Sequence, residues 1–285
     1  MGKDTKEQDE LILLKLRSTG ACIRDGYRLY TGNFRRIFRA TWLAAVIYAV
    51  IAGLLMDFIT SLHKYAALAS IGFVLINAFI SAFGFSLLKA HQENGEIPQG
   101  TRWTGFINRK VVVRSMIVLG VVLVISMAYG AIIGGTVMLG HRYLSTIATA
   151  VAIVLLFLIM LLTAPGIAMP LFKYPLQDTN IKSFPLRYWG STLMLLIVVL
   201  LFSNVLIVVT ELPAVVLFLA NIVSQSGALQ GDPTGMPDYM GWTNIIVFTL
   251  AGFIQAYIVL SALFPIYYLY GSTEQQEKER QQLNP

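Results

Sequence analysis

Cysteine and charged residues are both scarce in this chain. It has one cysteine, Cys22, and only 13% of its 285 residues are charged, whereas 56% are hydrophobic. A single thiol excludes an intramolecular disulfide and is typical of a small buried or interfacial residue. A soluble domain of this length could not bury so much apolar surface, so a membrane must cover part of it.

Catalytic and metal-binding patterns are also missing. The three histidines, His63, His91 and His141, fall in separate connections, and no spacing of cysteine, histidine or carboxylate residues is that of a metal site. The sequence has no GxSxG motif, no P-loop and no paired-carboxylate arrangement. It therefore predicts a protein that is not an enzyme and that has no cofactor and no metal.

Six apolar runs are what the sequence has instead. They cover residues 40–57, 66–88, 115–139, 144–169, 188–211 and 242–270. Each is near or above the ~20 residues that a helix needs to cross a bilayer, and none alternates as barrel strands do. We therefore predict an all-α, polytopic integral membrane protein with six transmembrane helices in residues 40–270. Residues 1–39 form an N-terminal segment, and residues 271–285 form a polar tail.

Positive charge gathers in alternate gaps between these runs. Nineteen of the 21 Lys and Arg residues lie before the first run, between the second and third, between the fourth and fifth, or after the sixth. Cytoplasmic loops retain such charge, so we predict a plasma (inner) membrane protein with both termini in the cytoplasm. Topology and anionic lipid account for the net charge of +6, which therefore needs no nucleic-acid partner.

Arginines recur on one side of the N-terminal segment. They fall within about 60° of one another at 100° per residue, apart from an arc of aromatic and aliphatic side chains. These arginines are Arg17, Arg24, Arg28, Arg35 and Arg39. The pattern predicts an amphipathic interfacial helix that contacts anionic phospholipid headgroups, with a break at Gly32-Asn33. The alternative is that the arginines only set the topology and anchor the first span.

The same segment resembles a known group of proteins. Gly26-Tyr27-Arg28-Leu29-Tyr30, followed by Asn33-Phe34-Arg35-Arg36-Ile37-Phe38, resembles the opening of bacterial six-span families related to the membrane domain of glycerophosphoryl diester phosphodiesterases. The resemblance covers this segment and the number of spans. It implies a membrane scaffold that lends no catalytic residue, because the chemistry of the fused members belongs to a separate soluble domain.

Uncharged polar side chains lie deep in three of the runs. Asn77 and Gln255 are near the middle of runs two and six, and Asn204 is in the outer half of run five. Amides in hydrocarbon need hydrogen-bond partners. They either fix the packing of neighbouring helices or converge on a polar cavity for a small molecule or a lipid headgroup.

The third run has a face of small residues. Ser126, Gly130 and Gly134 recur every four residues, which favours close helix packing, inside the chain rather than between two copies. The odd-numbered runs begin near residues 40, 115 and 188, each behind a basic and aromatic segment. Three helical hairpins are one interpretation of this spacing. The other is that any six-span protein with this charge distribution looks similar.

Together these features predict a non-enzymatic scaffold or accessory membrane protein that contacts lipid, another membrane protein or a second copy of itself. The alternative is an uncoupled transporter of a small molecule or lipid that uses the three amides. An intramembrane lipid-modifying enzyme is less favoured. A continuous polar cavity lined by the amides would favour the transporter, and closed packing around them would favour the scaffold.

Overall fold

The protein is all-helical over the residues that the computed structural model describes, namely 13–60, 66–98, 107–143, 146–176, 188–229 and 240–283. No strand occurs in these ranges. In chain order the helices are α1 (Thr19–Gly32), α2 (Phe34–Thr60), α3 (Ala66–Asn94), α4 (Arg109–Tyr143), α5 (Thr146–Leu176), α6 (Trp189–Thr210), α7 (Leu212–Leu229) and α8 (Met240–Leu283). The predicted all-α class is confirmed.

Among the described residues, five helices are long and apolar enough to cross a membrane. They are α2, α3, α5, α6 and α8, whose most apolar windows have mean hydropathies from 1.9 to 2.9. Each corresponds to one predicted apolar run. The third run lies inside α4, which has a shorter apolar stretch at Met127–Gly140. These helices are compatible with a membrane protein, which the composition predicts.

The helices extend beyond the apolar runs. α2 begins at Phe34 rather than at residue 40, α4 begins at Arg109 rather than at residue 115, and α8 continues to Leu283. Arginine and lysine favour a helix nearly as well as leucine does, so a helix continues past its apolar run into polar sequence. The boundaries predicted at residues 39/40 and 270/271 therefore fall inside helices.

α8 is the central helix of the bundle. It packs against α1, α2, α3 and α6, and its buried face includes Phe264, Tyr267 and Tyr268, which have no exposed surface. α2 approaches it through small residues, since a Cβ on Gly252 would lie 3.3 Å from the Cβ of Ala52. Lipid is as apolar as leucine, so close backbone packing of this kind is what joins helices in a membrane.

α4 and α5 form a pair at one side of the bundle. Tyr129 in α4 donates its hydroxyl proton to the carbonyl of Leu156 in α5 at 2.7 Å. α4 also packs on α3, whereas none of the most apolar window of α5 is buried within the chain. The outer faces of this pair are therefore apolar and exposed.

α1 packs against the bundle instead of standing apart from it. It ends at Gly32, which confirms the predicted break. A Cβ on Gly26 would lie 2.6 Å from the Cα of Pro265, so the backbones of α1 and α8 are in contact. Tyr30 donates its hydroxyl proton to the carbonyl of Tyr257 at 3.0 Å. The N-terminal helix is thus attached to α8 by both close packing and hydrogen bonding.

The apolar arc of the N-terminal segment divides between two environments. Tyr30 and Ile37 are buried in protein, whereas Phe34 and Phe38 are 42% and 39% exposed. Protein contacts therefore position the segment, and a smaller apolar face than predicted is left for lipid.

Candidate functional site

Arg17 is buried and paired, which corrects its prediction as a lipid contact. Its side chain is 3% exposed, and its Nε donates to Oδ2 of Asp25 at 3.0 Å. The guanidinium also donates to the carbonyl of Leu13 at 3.0 Å and lies 4.6 Å from the ring centroid of Tyr268. The backbone of Arg17 and the hydroxyl of Ser272 exchange two hydrogen bonds. These partners hold Arg17 inside the protein.

Cys22 lies next to this ion pair on the buried face of α1. It has no exposed surface, and burial raises the pKa of its thiol to about 11. The thiol is therefore neutral at physiological pH, which makes it a poor nucleophile. Of the two predicted alternatives, a small buried or an interfacial residue, the structure shows the buried one.

The other four arginines of the predicted row are exposed. They lie on α1 and on the first turns of α2, and we call them the basic surface: Arg24, Arg28, Arg35 and Arg39. Arg24 contacts Oδ1 of Asp25 at 3.1 Å, yet 69% of its side chain is exposed. The structure therefore leaves four guanidinium groups on the outside of the N-terminal segment.

Asn77 has its hydrogen-bond partners inside the bundle. Its Oδ1 accepts from the hydroxyl of Tyr48 at 3.0 Å, and its Nδ2 donates to the carbonyl of Phe73 at 2.8 Å. The first bond joins α3 to α2, and the second is local to α3. Asn77 therefore fixes helix packing, the first of the two roles predicted for the amides.

The structure does not bring the three amides together. Asn204 is on an exposed side of α6, where its Nδ2 donates to the carbonyl of Leu200 in the same helix at 2.8 Å. Gln255 lines a cavity of about 160 Å³ that also receives Glu211. Neither Asn77 nor Asn204 lines this cavity. The rotation of α6 places Asn204 outside, and helical rotation relative to neighbours cannot be derived from one helix alone.

Replacing Tyr48 with Phe is expected to lower the free energy of unfolding by roughly 0.5–2 kcal/mol, because Asn77 then loses its donor in an apolar interior. Replacing Asn204 with Leu should change that free energy little, since its amide bonds only its own helix on an exposed face. Chemical unfolding of the purified protein in detergent measures both. Equal effects of the two variants would contradict the assigned role of Asn77.

The small-residue face of α4 is not used for packing inside the described chain. Gly130 and Gly134 are exposed, and a Cβ at either position would have no described neighbour within 4 Å. The side chain of Ser126 lies outside the described residues. This corrects the preference for internal packing at these positions. Close packing occurs instead between α2 and α8, at Gly252.

Basic residues join three helices at one end of the bundle. Lys89 in α3 donates to the carbonyl of Leu176 at the end of α5 at 2.9 Å. Lys173 in α5 forms an ion pair with Glu274 in α8. Charges that the sequence places in different gaps between apolar runs therefore meet at this end.

A cavity of about 600 Å³ lies between the segment before α1, the junction of α1 with α2, and the end of α3. We call it the N-terminal cavity. Its apolar wall is formed by Leu13, Leu14, Leu29 and Ile97. Its polar side chains are those of Asn33, Arg36, His91, Gln92 and Glu96, together with Tyr267. A volume of this size is typical of small-molecule sites.

His91 and Tyr267 form the buried side of the N-terminal cavity. His91 is 6% exposed, and its Nδ1 lies 3.0 Å from the hydroxyl of Tyr267, which has no exposed surface. In the tautomer in which Tyr267 donates, Nε2 carries the ring proton and is a donor. The described hydrogen bond of His91 uses Nδ1, and the residue lines the cavity. In this tautomer His91 has one nitrogen held by Tyr267 and one further donor.

The end of α3 turns the chain back along this cavity. Gly95 has a φ of +72°, a conformation that favours glycine, and its N–H donates to the carbonyl of His91 at 2.9 Å. This helix cap directs Glu96 and Ile97 to the cavity lining. Glycine at this position is thus part of how the site is built.

Arg36 and Glu96 form the exposed ion pair of the N-terminal cavity. Nη1 of Arg36 lies 3.3 Å from Oε2 of Glu96, and the two side chains are 38% and 70% exposed. A pair with this exposure contributes about 0–1 kcal/mol, so it opens easily. The cavity therefore combines a cation, an anion and neutral hydrogen-bonding groups with an apolar wall.

Sequence reasoning missed this cavity and the pair of Arg17 with Asp25. Arg36 and Glu96 are 60 residues apart, so no local pattern joins them. The dipeptide Asn94-Gly95 is a turn signal, and it was the one feature that could have marked the return of the chain. Within the described ranges, no three His, Cys, Asp or Glu side chains cluster as a metal site requires.

Comparison with known proteins adds no functional assignment. The chain matches no family model, no curated protein and no solved structure. Its function must therefore be inferred from the geometry of the basic surface, the amides and the N-terminal cavity.

Proposed function

We propose that this chain is a non-enzymatic, multi-pass membrane scaffold that binds anionic phospholipid at its basic surface. The observation that carries the proposal is the exposure of all four arginines of that surface. Guanidinium groups bind phosphate through paired, charge-assisted hydrogen bonds. Phe34 and Phe38, exposed on the same segment, supply the apolar contacts that an interfacial helix makes with the bilayer.

We infer six spans with both termini in the cytoplasm. The span that we add to the five apolar helices is α4, which contains the third apolar run. Its 35 residues reach about 52 Å as a helix, more than the ~30 Å of a hydrocarbon core. An even number of spans places both termini on one side, with 19 of the 21 Lys and Arg residues. The positive-inside rule makes that side the cytoplasm. We infer a bacterial inner membrane from the N-terminal resemblance. The basic surface then faces anionic headgroups.

The packing around Asn77 supports a scaffold. Asn77 forms hydrogen bonds with Tyr48 and with its own helix. Asn204 lies on an exposed side of α6 and bonds only its own helix. The N-terminal resemblance to the membrane domain of glycerophosphoryl diester phosphodiesterases accords with this role, because the chemistry of the fused members belongs to another domain.

An uncoupled transporter is the second candidate function. The cavity that receives Glu211 and Gln255 favours it, since both are polar groups in an otherwise apolar lining. Its volume of about 160 Å³ has room for roughly five water molecules at ~30 Å³ each, which is small for an organic solute. Solute uptake by vesicles that is lost in Gln255→Leu would favour the transporter over the scaffold.

Replacing Arg24, Arg28, Arg35 and Arg39 together with Gln is expected to weaken retention of phosphatidylglycerol by roughly 100- to 1,000-fold at low salt. Each basic residue near an anionic surface contributes about 1 kcal/mol, and the effect should shrink as salt is raised. Native mass spectrometry of the protein extracted in detergent measures the retained lipid.

The control for this experiment is the double variant Lys278→Gln with Arg280→Gln, in which two exposed basic residues of the tail are removed. It should retain phosphatidylglycerol as the unmodified chain does. Equal retention by the quadruple variant and the unmodified chain would contradict the proposed role of the basic surface.

A further inference from the structure

We propose that the N-terminal cavity binds a zwitterionic ligand with adjacent phosphate and primary ammonium groups, the chemistry of phosphoethanolamine. The site is separate from the basic surface, because none of the four arginines of that surface lines the cavity. The inference therefore goes beyond the proposed scaffold function. It rests on the side chains that line the cavity and on the hydrogen-bond partners that these side chains already have.

Two donors are positioned for the phosphate. Arg36 carries five N–H donors, and its described hydrogen bond, to Glu96, uses one of them. In the tautomer in which Tyr267 donates to Nδ1 of His91, Nε2 of this cavity-lining residue is the second donor. Both rings are buried, so packing holds the imidazole in one orientation before a ligand arrives. The phosphate would thus meet one flexible cationic donor and one fixed donor.

The position of Glu96 beside Arg36 favours a zwitterion over a simple anion as the ligand. A simple anion that takes Arg36 from Glu96 leaves this carboxylate unpaired beside a second negative charge. A ligand with an ammonium group next to its phosphate gives Glu96 a new partner when the pair opens. Because Glu96 is 70% exposed, it can turn toward that group without leaving a buried site. The amide side chains of Asn33 and Gln92 offer further neutral hydrogen bonds.

The apolar wall determines what the headgroup is attached to. Leu13, Leu14, Leu29 and Ile97 line the cavity, and Leu14 keeps 41% of its surface exposed. Such a wall suits the carbon chain that continues from a phosphate ester. The phosphoethanolamine group occurs both in the lipid phosphatidylethanolamine and in soluble glycerophosphoethanolamine. The experiment distinguishes these two ligands.

The test uses the full chain in detergent with three probes: phosphatidylethanolamine, phosphatidylglycerol and soluble glycerophosphoethanolamine. Native mass spectrometry measures the bound lipids, and isothermal titration measures the soluble probe. We expect Arg36→Gln and Glu96→Gln each to weaken binding of phosphatidylethanolamine at least tenfold. Displacement of that lipid by glycerophosphoethanolamine would identify the headgroup as sufficient, and binding of the lipid alone would identify the lipid as the ligand.

Matched controls are Arg109→Gln and Glu93→Gln, which remove the same charges from exposed positions outside this cavity. Both should bind phosphatidylethanolamine normally. The quadruple variant of the basic surface should also bind it, so failure of the scaffold proposal and failure of this one are distinguishable. An unchanged affinity in Glu96→Gln, equal binding of the two lipids at this site, or no binding of any probe would each overturn the proposal.

Discussion

Replacing Asp25 with Ala is expected to destabilise the protein by about 3–5 kcal/mol, because it removes the carboxylate that pairs with the charged guanidinium of Arg17 in a buried site. The side chain of Arg17 is 3% exposed, so water cannot take the place of the carboxylate. Its described contacts with the carbonyl of Leu13 and the ring of Tyr268 carry no full negative charge. Chemical unfolding in detergent measures the loss.

The same variant should release the segment that precedes α1. Arg17 holds this segment to α8 through Ser272 as well as through its own side chain. Cleavage by trypsin after Lys15 is therefore expected to be faster in Asp25→Ala than in the unmodified chain. Faster cleavage without a lower free energy of unfolding would show that only the segment, and not the bundle, depends on the pair.

Two controls separate the loss of the pair from the burial of a lone charge. Arg24→Gln removes the exposed partner of Asp25 and should change stability by no more than about 1 kcal/mol. The double variant Arg17→Met with Asp25→Leu should recover most of the stability, since apolar side chains of similar size often replace a buried pair without loss. Equal destabilisation by Arg24→Gln and Asp25→Ala would contradict the structure.

Replacing Gly26 with Ala is expected to destabilise the protein by about 1–3 kcal/mol, although alanine is the better helix former. The added Cβ would lie 2.6 Å from the Cα of Pro265, which is backbone and cannot rotate away. α1 would have to move off α8, which would disturb the neighbouring hydrogen bond from Tyr30 to Tyr257. Gly26→Val should be worse, because it adds two further methyl groups at the same contact.

Gly20→Ala is the matched control on the same helix. A Cβ at that position has no described neighbour within 4 Å, so the variant should be neutral or stabilised by up to about 1 kcal/mol. Thermal unfolding of both variants in the same detergent compares them directly. Equal changes for the two glycines would contradict the close contact of α1 with α8.

Hydropathy was enough to predict the helical class and the approximate place of the apolar helices. The break after Gly32 was also predictable, because glycine followed by asparagine disfavours a continuing helix. The ends of the helices were less predictable, since α2 and α4 continue through arginines that hydropathy excludes from a run. Helix propensity and membrane burial follow different properties of a side chain.

The row of arginines shows what helical periodicity can and cannot predict. Periodicity placed Arg24, Arg28, Arg35 and Arg39 on one face, and all four are exposed. It grouped Arg17 with them too, because angular position carries no information about a neighbour on another helix. Arg17 precedes α1 and is bonded to Ser272, 255 residues later in the chain. No pattern within the segment could have revealed that partner.

Apolar runs, glycine breaks and the distribution of positive charge are properties of single segments, so the residues alone establish an all-helical chain suited to a bilayer. The folded bundle decides which glycines pack, as at Gly26 and Gly252 but not at Gly130, and which polar groups pair, as Asn77 does with Tyr48. It also brings Arg36, His91 and Glu96 to one cavity. The physical reason is that such contacts depend on the rotation and separation of two helices, whereas hydropathy and periodicity describe one helix at a time.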